Sequence, residues 1–261
     1  MTSSSRLQYT HIAMDIPEEV TVISRSQMFD GTEDAKGGYH TKTNQRARGD
    51  EEIILTNLKM HPILVERIYP TYHKNLLKAQ DSILPNCYIK RPVLSTYDNP
   101  SDAQVLKNLM MAEIEVYEIL RSSPHPNIAE YLGCLVMGDG NIHGVCITRY
   151  ETTLSDLVDQ NPLSVDIQGC VDGIRKGIEH LHSLGLAHND INPLNVMVDN
   201  GEPVVIDFDS CVKEGGKLLK RETINWSLVD MKMSSKENDY YGLGLIEKWL
   251  IRSCQKFVTN R

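Results

Sequence analysis

The stretch that most constrains this chain is His188-Asn189-Asp190-Ile191-Asn192-Pro193-Leu194-Asn195, followed seventeen residues after Asp190 by Asp207-Phe208-Asp209. It sets an acid and an amide five residues apart on a loop, and a further acid at the end of a strand that returns beside that loop. The flanking sequence supplies the elements this requires. Residues 154–184 read as helix in two pieces broken at Asn161-Pro162, with Val171, Ile174, Ile178 and Leu181 on one face of the second and Gly185 at its C′ position. Residues 195–198 and 203–206 read as two short strands around the turn Asp199-Asn200-Gly201-Glu202. Two carboxylates and an amide oxygen suit hard Mg²⁺, which draws its remaining ligands from water and phosphate. A carboxylate free of metal can accept a hydroxyl proton. Phosphoryl transfer asks for little else than positioning and charge neutralisation.

Ahead of this region the pattern is richer in strands. Residues 63–68 are expected to start a strand, and residues 86–90, NCYIK, form another that ends in a lysine before Pro92. Residues 103–120 carry Val105, Leu109, Ile114, Tyr117 and Leu120 at near-helical spacing, with Ser101 or Asp102 as the expected N-cap. Residues 128–136 and 145–147 flank the turn MGDGNIHG, and a last helix is expected over 238–251. Strands first and helices second, without internal repeats, predict an α+β fold. Residues 24–52 have four glycines, few large apolar residues and no periodicity, and are expected to be mobile.

Charge and cysteine usage remove several functions. With 27 Lys+Arg against 35 Asp+Glu, a net −8, a broad basic face for nucleic acid is excluded as an expectation. The six cysteines include no C-x-x-C pair, which argues against a zinc site or a disulfide framework and for a reducing compartment. The N-terminal residues contain no apolar h-region, and no stretch approaches eighteen consecutive apolar residues. A soluble chain of the cytoplasm, or of the nucleus, is expected, with no membrane contact; its partner proteins and oligomeric state are not legible.

The chain resembles the protein kinase superfamily, whose catalytic loop is H-R-D-x-x-x-x-N and whose metal motif is D-F-G. Cys87-Tyr88-Ile89-Lys90 stands where the family has V-A-I-K, His125 to Gly133 is similar to the passage after its αC helix, and Ile147 to Glu151 is similar to the strand entering its hinge. Glu222-Thr223-Ile224-Asn225-Trp226 resembles G-T-x-x-Y/W, and Asp239 to Gly244 resembles the start of the αF helix. The resemblance covers about residues 60–255 and implies a bilobal kinase-like fold, with a small β-rich N-lobe over about 53–148 and a shortened helical C-lobe over about 149–261 that ends soon after αF. Residues 1–52 would form an extension, mostly flexible. It further implies ATP and Mg²⁺ as cofactors. Lys90 would orient the phosphates and Glu113 would hold Lys90; Glu115, the competitor, lies about 200° round the helix. Asp190 would accept the hydroxyl proton, Asn195 and Asp207 would bind Mg²⁺, Thr148 would be the gatekeeper, and Glu151 would lie near the adenine. His188 and Phe208 would be packing residues.

Four departures stand against this pattern. Glu66 to Lys78 has no glycine where G-x-G-x-x-G is expected, and Pro70 removes a backbone donor. The arginine of H-R-D is Asn189, the lysine two residues after the catalytic aspartate is Asn192, and the glycine of D-F-G is Asp209. Only twenty-two residues follow Asp239, an economy shared with Rio-type kinases and the kinase of the KEOPS tRNA-modification complex. Three readings result: a serine/threonine protein kinase acting on a protein hydroxyl, a catalytically weak pseudokinase serving as scaffold or allosteric module, and a small-molecule or KEOPS-type atypical kinase.

Overall fold

The computed structural model describes residues 19–20, 63–92, 100–218, 223, 226 and 232–259. Apart from Glu19 and Val20, the expected extension 1–52 lies outside them, as do residues 53–62, where the kinase-like domain is expected to begin. The chain divides into two compact units, residues 1–70 with 92–108, and residues 71–91 with 109–261.

In the first unit strand β1 (Glu19–Val20) pairs antiparallel with β2 (Ile63–Leu64). The strand expected over 63–68 stops there, and a helical turn α1 (Val65–Ile68) follows. Val65 and Ile68 are three apart, the spacing of one helical face rather than of strand alternation. Helix α2 (Pro100–Arg121) contributes to both units. It begins before the expected caps Ser101 and Asp102, because Pro100 fits the first helical turn, where its missing N–H costs nothing.

The second unit carries two three-stranded sheets. The first contains β3 (Cys87–Lys90), β4 (Tyr131–Val136) and β5 (Ile142–Thr148) in the order β3-β5-β4, all antiparallel. Its register pairs Tyr88 with Ile147 and Lys90 with Val145, and Ile147 in turn with Tyr131. Alternation therefore divides the sheet into two faces. Val145, Ile147, Tyr131 and Cys134 join the main core, while Cys87, Cys146 and Leu135 join a smaller cluster on the opposite face.

Residues 71–79 lie along the free edge of β4. Thr71 bridges Asn141 and Lys78 bridges Cys134, and Cys134 N–H donates to Leu77 O over 2.7 Å. Gly133, at φ +120°, makes this approach feasible, since a Cβ there would stand 2.5 Å from the Ala79 nitrogen.

Next come β6 (Thr152–Thr153), α3 (Leu154–Gln160) capped by the Thr153 side chain, α4 (Ile167–Ser183) capped by Asp166, and β7 (Leu186–Ala187). The hairpin β8 (Val196–Asp199) and β9 (Glu202–Val205) turns at Asn200 and Gly201, both at positive φ, and β6 completes its sheet. Strand β10 (Val212–Lys213) pairs with β7, and helix α5 (Lys236–Thr259) closes the chain, extending the expected helix at both ends. No described helix is long and apolar enough to cross a membrane.

Candidate functional site

The loop after β7 is anchored from below by α5. Asp239, fully buried in the first turn of that helix, accepts from His188 N–H at 2.9 Å and from Asn189 N–H at 2.6 Å, and His182 Nε2 of α4 lies 2.8 Å from the same carboxylate. The helix can come this close because residue 242 is glycine: a Cβ there would lie 2.4 Å from Ile191 O. Asn189 has φ 65°, a left-handed conformation that asparagine tolerates better than most residues. Its buried amide donates to Ala187 O, Ser210 O and Ser234 Oγ and accepts from Ser235 N–H and Asn238 Nδ2.

Asp190 is held on all sides. Its Oδ1 accepts from Asn192 Nδ2 and Thr223 N–H, and its Oδ2 from Asn195 Nδ2 and Thr223 Oγ1, each at 3.1 Å. Asn192 and Asn195 are themselves buried, and Asn192 Nδ2 also reaches Thr223 Oγ1 at 3.3 Å. With Asn195 Nδ2 given to Asp190, its amide oxygen is the atom it has for a cation. Its backbone O accepts from Ile206 N–H at 3.0 Å, which ties this loop to the residue before Asp207. Of the expected passage at 222–226, Glu222, Ile224 and Asn225 lie outside the described residues; Trp226 packs edge-on against Trp249 of α5.

A second group of charges gathers at Lys90. Its Nζ lies 2.7 Å from Glu113 Oε1, 2.6 Å from Asp207 Oδ1 and 3.9 Å from Asp209 Oδ2. Burial on its own would push the ammonium down, but Glu113, Asp207 and Asp209 together hold it well above the usual lysine value. Burial pushes the Glu113 carboxyl up to about 7; Lys90 opposes this, and the neighbouring negative charges of Asp207 and Asp209 reinforce it. Asp209 thus enlarges a negative surplus around one cation. Asp207 sits at φ 67°, and the next N–H, of Phe208, donates to Glu113 Oε1 at 3.2 Å.

Rings connect these groups to the sheet. Tyr131 stacks on Tyr117 at 5.2 Å, Tyr117 meets Phe208 edge-on at 5.1 Å, and Phe208 meets His188 at 5.3 Å. The column runs from β4 through α2 to both acid-bearing loops and ends on Asp239. Each such ring pair contributes roughly 0.5–1.5 kcal/mol beyond area burial.

Of the residues singled out in sequence, Lys90, Glu113 and Asp207 meet directly, as do Asp190 and Asn195. Thr148 does not join them. It pairs with Cys87, on the sheet face opposite Lys90, and its hydroxyl donates to Glu130 Oε2 at 2.6 Å; Ile147 is the residue on the Lys90 face. Glu151 is exposed on the connection after β5. The Asn192 clamp, the Asn189 hub and the Tyr131 end of the ring column were not foreseen. Their only sequence signal was that two asparagines replace long cations inside a loop that must be buried.

The protein kinase domain model matches residues 93–259. Among curated proteins, serine/threonine-protein kinase shk2 of Schizosaccharomyces pombe is 30% identical over 128 residues, 46% of this chain and 20% of that protein. Serine/threonine-protein kinase STE20 of Yarrowia lipolytica is 25% identical over 227 residues, 83% of this chain and 20% of its own. The chain thus spans about a fifth of the length of both relatives. Among solved structures, the Cydia pomonella Granulovirus kinase PK-1 is similar with a TM-score of 0.45 and 16% identity over 54% of each chain.

Proposed function

The chain belongs to the protein kinase family, its residues 93–259 matching that domain, and on this premise we propose that it is an ATP- and Mg²⁺-dependent phosphotransferase acting on serine or threonine hydroxyls of a protein. The observation that carries the reading is Lys90 Nζ, held between Glu113 at 2.7 Å and Asp207 at 2.6 Å. One cation fixed between an acid on a helix and an acid on the opposing loop is the arrangement that orients polyphosphate. The carboxylate of Asp207 and the amide oxygen of Asn195 are hard donors of the kind Mg²⁺ takes, and the metal would supply charge neutralisation at the phosphate oxygens. Asp190 takes the proton of the attacking hydroxyl. Thr223, Asn192 and Asn195 fix its orientation, and Glu113 keeps Lys90 aimed at the phosphates.

The test is to incubate the full chain with Mg²⁺, radiolabelled ATP and a generic basic protein. Label on serine or threonine, lost in Asp190→Ala and in Lys90→Ala while circular dichroism stays unchanged, is the expected result. No transfer under any divalent cation overturns it.

A second reading, a nucleotide-responsive scaffold with little catalysis, draws on one observation. Three backbone donors in and just after the segment that replaces the glycine-rich loop are already engaged within the protein: Tyr72 N–H on Gly140 O, Leu77 N–H on Glu118 Oε1 and Ala79 N–H on Cys134 O. They are not free to clamp phosphate from above. Thermal stabilisation by nucleotide without any transfer would favour this reading.

A further inference from the structure

Tyr88 stands two residues before Lys90 on β3, where the resembling motif V-A-I-K has alanine. Alternation places both side chains on one face of the sheet, the face of Val145 and Ile147 with which they pair. Following β3 from Lys90 toward Cys87 leads along β5 from Val145 to Thr148 and so toward the connection that carries Glu151. A nucleotide with its phosphates at Lys90 and its base toward that connection must pass beneath residue 88, roughly 6–7 Å along the strand from Lys90. An alanine leaves that span open, whereas a tyrosine adds a whole ring to it. Tyr88 is 37% exposed, so the ring is neither sunk in the core nor lifted fully into solvent. Burial pushes its phenol up; Lys90 opposes this, and Asp207 and Glu113 add to it.

We propose that Tyr88 is a steric gate on the nucleoside end of the site: its ring takes the space of base and ribose and leaves the phosphate end at Lys90 accessible. The chain then binds a purine nucleoside triphosphate more weakly than its phosphate-binding groups alone would permit. The proposal rests on the nucleotide reading of the site.

Calorimetric titration with Mg²⁺-ATP and with Mg²⁺-tripolyphosphate, which has no base or ribose, separates the two ends. The proteins compared are the full wild-type chain, Tyr88→Ala, Tyr88→Val and Tyr88→Phe, the valine variant keeping a strand-favouring residue should alanine disturb β3. Both ring-deleted variants are expected to bind Mg²⁺-ATP about tenfold tighter or better, a gain of about 1.4 kcal/mol. Their affinity for tripolyphosphate should stay within about twofold of wild type, and Tyr88→Phe should match wild type for both ligands. Unchanged or weaker ATP binding in the ring-deleted variants overturns the gate, as does an equal gain for tripolyphosphate or a Tyr88→Phe variant that behaves like Tyr88→Ala. In those cases tripolyphosphate binding survives and the nucleotide reading stands. If no protein binds either ligand at millimolar concentration, the nucleotide reading falls and the gate with it.

Discussion

Asn192 donates its side-chain amide to Asp190 at two points, the backbone O and carboxylate Oδ1, both 3.1 Å away. A short neutral amide therefore occupies the place of a long cation, and it is turned inward to the acid rather than outward to a substrate. Asn192→Ala is expected to lower kcat by about ten- to a hundredfold, the scale of a misplaced catalytic group, with little change in KM. Asn192→Asp, which sets carboxylate against carboxylate, should shift the acidic limb of the pH–rate profile upward. An unchanged kcat in the alanine variant would remove Asn192 from any positioning role.

Asp239 accepts two buried N–H groups of the loop that carries Asp190. Asp239→Ala leaves both without an acceptor and is expected to cost about 2–5 kcal/mol. Urea unfolding should show this as a lower midpoint at unchanged slope.

Two glycines two residues apart on α5, Gly242 and Gly244, should respond in opposite ways. A Cβ on Gly242 would lie 2.4 Å from Ile191 O, whereas one on Gly244 meets nothing within 4 Å. Gly242→Ala should therefore lose about 1–3 kcal/mol and displace the loop that carries Asp190, while Gly244→Ala should be neutral or gain up to about 1 kcal/mol from helix propensity. Thermal unfolding of the pair checks both, and equal effects would contradict the packing.

The Tyr117 hydroxyl is buried without a hydrogen-bond partner among the described residues, although the ring is clasped by Tyr131 and Phe208. Tyr117→Phe keeps the ring column and removes an unsatisfied polar group. It should be neutral or stabilise the chain by up to about 1–3 kcal/mol in equilibrium unfolding, where a clear loss would reveal a partner for the hydroxyl.

Glu113 links stability to pH. Its carboxyl is pushed from an ordinary 4.5 up to about 7 in the folded chain, by burial first and by Asp207 and Asp209 in addition. The folded state therefore holds this proton longer than the unfolded one. The corresponding stability is complete below pH 4.5 and is lost as pH rises through 7. Over that window the loss is on the order of 2–3 kcal/mol. Glu113→Gln should unfold with a much flatter dependence on pH between 5 and 8; a slope equal to wild type would refute the assignment.

The parts legible in sequence are those whose chemistry is local. Residues 188–195 and 207–209 reveal themselves by spacing, because the loop and hairpin that carry them are short and their turn residues fit tightly. Lys90 and Glu113 are twenty-three residues apart, yet strand and helix periodicity still indicate their faces. For Thr148, motif similarity gives a position along the strand, whereas the register with Cys87 decides which face it occupies. The docking of residues 71–79 on β4 was invisible for a further reason: it depends on Gly133, a glycine more than fifty residues downstream with no local mark of its purpose.

Asn189 ties Ala187, Ser210, Ser234, Ser235 and Asn238 together through one uncharged amide. Hydrogen bonds among neutral buried groups are not screened by dissolved ions, and they need no incoming phosphate to complete them. At Asn189, then, the loop that carries Asp190 is held by contacts that form without any added charge and that dissolved ions leave intact.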